Sequence, residues 1–63
     1  MEKRVYYKPN GVDLDVIVEN IKNSSPCFIT REYIEMNYSK VEIIARVEDI
    51  PYIQRLMDLV KEV

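Results

Sequence analysis

Histidine and tryptophan are absent from this chain of 63 residues, and glycine and cysteine occur once each. Each shortage excludes something. A single cysteine, Cys27, forms no disulfide within the chain, and without histidine or a second thiolate a tetrahedral structural zinc has no ligand set. One glycine, Gly11, does not make the glycine-rich turns by which P-loops and GxGxxG motifs bring backbone amides close to phosphate. No loop carries the dense oxygen ligands of an EF-hand. No apolar run approaches membrane-spanning length, and residues 1–10 lack the hydrophobic core of a signal peptide. With a lone thiol as well, a reducing cytoplasm is the expected compartment.

What is present describes a folding chain. Apolar residues make up 48% and charged residues 32%, outside the low-hydrophobicity regime of disorder. The net charge of −2 comes from nearly balanced signs spread along the sequence, unlike a polybasic nucleic-acid arm or an acidic DNA mimic. Only "EKRVYYK" near the start is locally basic. The length allows one domain, residues 1–63, and a domain this small buries a modest share of its surface. Disulfides and zinc being excluded, self-association is the remaining way to add buried area.

Turn signals at "PNG", "NSSP", "NYSK" and "EDIP" divide the chain into five elements. "KRVYYK" is rich in β-branched and aromatic residues and reads as a strand. In residues 12–22, Leu14, Ile17, Val18 and Ile21 recur at helical spacing, with Asn10 or Asp13 as the expected cap and the acids Asp13 and Asp15 at the positive end of the dipole. Pro26 stops that helix. "CFITREYIEM" reads as a second strand with impure alternation, which predicts a bulge near residues 30–32. A short helix over residues 30–37, capped by Thr30, is the alternative. In "KVEIIARVE", Val41, Ile43, Ala45 and Val47 alternate with Glu42, Ile44, Arg46 and Glu48, the two-residue period of a half-buried strand. "NYSK" then makes a hairpin turn. A last helix opens with Asp49 as cap and Pro51 in its first turn; Ile53, Leu56, Met57 and Val60 share one face, extended by Ile50 and Val63.

The order is βαββα. Apolar faces on both helices and on the sheet are satisfied by an α+β two-layer sandwich, with two helices on one face of a three-stranded sheet of order 1-3-2. This element order resembles a ferredoxin-like or ACT-like domain lacking its last strand. The missing strand leaves strand one as an open edge, with Lys3, Arg4 and Lys8 available as charged gatekeepers. A two-fold dimer burying that edge, or the open sheet face together with the wide apolar flank that Tyr52 and Leu59 give the second helix, is expected. A helix-turn-helix reading of residues 29–47 fails on chemistry as well as period, since Lys40 and Arg46 are too few basic contacts for a recognition helix.

Catalysis finds no foothold. Cys27 lies in the apolar stretch "SPCFI" with no histidine to act as base, which raises rather than lowers a thiol pKa. The carboxylate pairs Asp13/Asp15 and Glu32/Glu35 are accounted for by a helix N-terminus and a solvated strand. The expected role is therefore a non-enzymatic binding or regulatory domain, without cofactor or metal, acting through protein–protein contacts as a homodimer. Tyr6, Tyr7, Phe28, Tyr33, Ile44, Arg46, Tyr52 and Leu59 are the candidate contact residues: aromatic and arginine side chains are enriched at interfaces, Ile44 is the aliphatic out of pattern in its strand, and Leu59 widens the apolar flank of the last helix. Two alternatives remain: a metabolite-sensing dimer, and a small nucleic-acid binder stacking Tyr6, Phe28, Tyr33 and Tyr38 with Lys3, Arg4, Lys8, Arg31 and Arg46 on phosphates. The interleaved acids Glu32, Glu35, Glu42 and Glu48 disfavour the latter.

Overall fold

The two-residue period of the third strand holds in space. In the computed structural model, which describes residues 1–61, the elements are β1 (Glu2–Pro9), α1 (Val12–Ser24), β2 (Cys27–Glu35), β3 (Tyr38–Ala45), a 3-10 turn (Val47–Asp49) and α2 (Ile50–Asp58). The sheet order is β1-β3-β2, with β3 antiparallel to both neighbours. Val41, Ile43 and Ala45 are fully buried, while Lys40, Glu42 and Ile44 point to the other side. The fold class is the α+β arrangement anticipated from the sequence, and residues 30–35 are strand rather than helix.

The registers place both helices on one face. Tyr6 of β1 and Arg31 of β2 both sit opposite Val41, so all three side chains leave the sheet on the same side. There the Tyr6 hydroxyl reaches Gln54 of α2, and the Arg31 guanidinium reaches Asp15 of α1. Between the layers Leu14, Ile17 and Ile21 of α1 meet Ile50, Ile53 and Met57 of α2, with Val60 just beyond the helix end. Tyr6, Val41, Ile43 and Ala45 close this core from below. The expected contribution of Val63 to the α2 stripe lies outside the described residues.

Several local expectations are corrected. The bulge falls between Tyr33 and Glu35, not at residues 30–32, where Thr30, Arg31 and Glu32 keep regular partners in Glu42, Val41 and Lys40. Its position is explained by the turn. Glu35 pairs with Tyr38, leaving a two-residue loop of Met36 and Asn37, and no non-glycine residue among the described residues has positive φ. The tight hairpin turns that match strand twist require positive φ, so this hairpin absorbs the mismatch by displacing Ile34. β3 ends at Ala45, and Val47 is exposed at the start of the 3-10 turn instead of continuing the strand. Asp49 stands at the α2 N-cap position but caps nothing; its carboxylate accepts from Arg46 Nε at 2.8 Å.

Neither Asn10 nor Asp13 caps α1, because Gly11 occupies the N-cap with φ 157° and ψ −178°. That backbone region is essentially glycine's own. Nothing lies within 4 Å of the position a Cβ would take there, so backbone conformation alone sets the requirement. Gly11→Ala is expected to cost about 1 kcal/mol of stability, read as a lower urea midpoint with an unchanged slope. An unaltered midpoint would show that the loop relaxes without cost.

Candidate binding surface

Among the described residues, one face of the sheet carries no helix. Its side chains follow from the registers as rows across the strands: Lys3, Ile44 and Phe28; then Val5, Glu42 and Thr30; then Tyr7, Lys40 and Glu32. Val5, Tyr7, Phe28 and Ile44 are 40%, 53%, 69% and 38% exposed, although side chains of these types are mostly buried in a closed core. At the bulged end of β2, Ile34 and the turn residue Met36 add further exposed apolar surface.

Between the apolar groups lies a small polar lattice centred on Glu42. Its carboxylate meets the Lys3 ammonium at 3.2 Å and the Lys40 ammonium at 3.8 Å, and accepts from Thr30 Oγ1 at 3.4 Å. The hydrogen bond and charge of Lys3 hold the Glu42 carboxyl below its ordinary value; Lys40 and Thr30 add to this, and desolvation opposes it. The linked stability is present above the ordinary carboxylate value and is lost as pH falls through the lower folded one. Lys3 and Lys40 balance Glu32 and Glu42 in charge, so the three central rows are neutral.

Comparison with protein-family models, with curated proteins and with solved structures finds no match.

The residues singled out in the sequence separate into distinct places. Tyr7, Phe28 and Ile44 share the open face. Tyr6 is withdrawn from any contact surface: its ring is 9% exposed beneath α2, and its hydroxyl donates to Gln54 Oε1 at 3.0 Å. Tyr52 packs against the core, its hydroxyl 3.3 Å from Ser24 Oγ. Tyr33, although 67% exposed, belongs to the helix side of β2, where the Arg31 guanidinium lies 5.0 Å from its ring centroid. Arg46 is exposed beyond β3 and paired with Asp49 and Glu48. Leu59, 64% exposed, borders a groove of about 270 Å³ between the helices with Asp13, Val16 and Ile17, away from the sheet.

The same separation disperses the aromatic and basic set proposed for nucleic acid. Arg4, Lys8 and Arg31 share the parity of Tyr6 and Tyr33 on the helix side, whereas Phe28 and Tyr38 share the parity of the open face with Lys3. Rings and cations are thus split across two sides of the sheet.

The sequence reading passed over two features. Val5 joins the open face because Tyr6 turns inward, a parity that adjacent tyrosines do not disclose. The second is a polar network at the turn end of the helix layer. Arg31 donates to Asp15 Oδ1 at 2.6 Å, Asn10 Oδ1 at 3.1 Å and Ser39 Oγ at 3.3 Å, and fully buried Ser39 also hydrogen-bonds Asn10 Oδ1. The Asn10 backbone amide is held by the Asn37 carbonyl at 2.7 Å, which fixes the chain between β1 and α1 to the β2–β3 turn. These groups satisfy one another, and no buried side-chain nitrogen or oxygen among the described residues lacks a partner.

Groups suited to chemistry are sparse in the same sense. Burial, with the nearby Asp49 charge, pushes the Cys27 thiol up against a smaller opposing effect of Lys22, which lowers its thiolate fraction at neutral pH. Among the described residues no cluster of three or more His, Cys, Asp or Glu side chains is arranged to hold a metal, and no helix is long and apolar enough to cross a membrane.

Proposed function

We propose that the chain is a non-catalytic binding domain that works as a homodimer and engages another protein across the open face of its sheet. The observation that carries this reading is the neutral, partly apolar surface of Val5, Tyr7, Phe28 and Ile44 around the Glu42 lattice. Protein interfaces combine aromatic and aliphatic contact area with few uncompensated charges at their centre. A polynucleotide surface instead needs a surplus of cations, because phosphate neutralisation supplies most of its affinity.

Retention on single-stranded RNA and DNA across a salt series, run beside light scattering, separates the readings. The expected result is a mass of two chains and no salt-dependent retention. Binding that is strong in dilute salt and lost by a few-fold increase in salt would replace this proposal with a nucleic-acid function.

A further inference from the structure

The free edge of β1 has a definite pattern of outward backbone groups. In an antiparallel ladder each residue turns its amide and carbonyl to one side, and successive residues alternate. The Asn10 amide donates to the Asn37 carbonyl, in line with the register that pairs Pro9 with Tyr38 and Lys8 with Ser39. Lys8, Tyr6 and Arg4 therefore spend their backbone groups on β3. Tyr7, Val5 and Lys3 direct theirs away from the sheet, and Pro9, which has no amide to offer, takes an outward position as well. The β1–β3 pairing shows no register shift, whereas the β2 edge is interrupted by the bulge at Ile34, a device that blunts strand addition.

We infer that β1 pairs antiparallel with β1 of a second copy, in the register that sets Val5 opposite Val5 on a two-fold axis. This rests on the homodimer reading above and specifies its interface. Charge selects the register. With Val5 on the axis, Glu2 faces Lys8 of the second copy and Lys8 faces its Glu2, while Lys3 lies opposite Tyr7 and Arg4 opposite Tyr6. Two ion pairs and two cation–ring neighbours, Lys3 with Tyr7 on each side of the axis, result with no like charges opposed. Tyr6 is buried and adds none, and Glu2 and Lys8 turn to each other from Arg4 and the Val60 carbonyl, their contacts within the single chain. Moving the axis to Arg4 opposes arginine to arginine, and moving it to Tyr6 opposes Arg4 to Lys8 twice. An axis at Lys3 opposes two lysines. An axis at Tyr7 shortens the overlap and puts Pro9 across from Val5, where an amide is required. Only the Val5 register uses the whole strand without a conflict.

The two-fold axis stands perpendicular to the sheet, so side chains keep their side. Two three-stranded sheets become one of six strands, all four helices lie on one surface, and both open faces join on the other. Val5 and Tyr7 of the two copies then meet at the centre of a surface twice as wide, the surface proposed above for a protein partner.

Amide hydrogen exchange and a charge-reversal series test the pairing. In the dimer the amides of Lys3, Val5 and Tyr7 exchange slowly at high protein concentration and rapidly on dilution, while those of Arg4, Tyr6 and Lys8 stay protected throughout. Lys8→Glu and Glu2→Lys each create two like-charged pairs across the axis and raise the dissociation constant about tenfold; the double variant restores it. Neither side chain belongs to the core. Lys8→Glu gives up a bond to the Val60 carbonyl at 3.2 Å and Glu2→Lys the pair with Arg4 at 2.9 Å, so circular dichroism of each variant is the independent check that it remains folded. A chain that is monomeric at every concentration overturns this pairing together with the homodimer reading. A dimer that ignores the charge reversals and leaves the three outward amides unprotected overturns the pairing alone.

Discussion

Tyr6→Lys is expected to abolish the fold, whereas Tyr7→Lys leaves it nearly unchanged. The two tyrosines are adjacent in sequence, but the register sends them to opposite sides: Tyr6 opposite Val41 in the core, Tyr7 opposite Lys40 on the open face. Truncating a buried aromatic side chain typically costs about 3–5 kcal/mol, and a lysine there must also find water for its ammonium. A domain of this length is stabilised by only about 3–9 kcal/mol in total, so the loss is of the same order as everything that holds it together. Tyr7→Lys, a surface exchange in the single chain, is expected to stay within about 0.5 kcal/mol when measured at protein concentrations where the chains are dissociated. Far-UV circular dichroism and urea titration of both variants decide the matter; the opposite ranking would reverse the parity of β1 and dismantle the surface built on it. Alkaline titration gives a second readout. Burial raises the Tyr6 phenol above its ordinary value of 10.0, Asp58 adds to the shift and Arg4 opposes it. The linked stability is complete below the ordinary value and is lost as pH climbs through the raised one.

The second large effect is expected from Arg31→Met. The Arg31 side chain is 18% exposed, that of Asp15 60%, so the pair is unequal in its surroundings. Removing the guanidinium withdraws donors from Asp15, Asn10 and Ser39 together. An ion pair with so exposed an acid is worth little, which places the cost on the more sheltered hydrogen bonds to Asn10 and Ser39. Arg31→Met is therefore expected to lose about 2–3 kcal/mol and Asp15→Asn less than about 1 kcal/mol, both by urea unfolding. Equal losses would show the ion pair itself to be the stabilising contact. Lysine does not substitute, since one ammonium does not reproduce three differently directed donors.

The architecture was legible because it depends on periods. Val41, Ile43 and Ala45 announce a strand whatever surrounds them, and Leu14, Ile17 and Ile21 announce a helix face. Chain order then leaves few ways to cover the apolar sides, and the sheet order follows. Residue-level placement was less legible wherever it depends on register between distant segments. "VYYK" contains two tyrosines and no internal mark of which points inward; only pairing with β3, more than thirty positions away, decides it. Ser39 and Asn10 looked like turn residues and became partners of Arg31 through the same pairing. Ile44, the one aliphatic out of step in β3, was the readable sign of the open face, and Phe28 lies beside it.

The order of the strands also has a consequence for synthesis. β2 and β3 are joined by a two-residue loop and form a hairpin on a microsecond scale once both have left the ribosome. β1 has no such neighbour in sequence, because Glu2 must wait for Ala45. At roughly 5–20 residues per second β1 spends seconds without its mate. Charged side chains disfavour edge-to-edge strand pairing, and Lys3, Arg4 and Lys8 are spaced along that waiting segment.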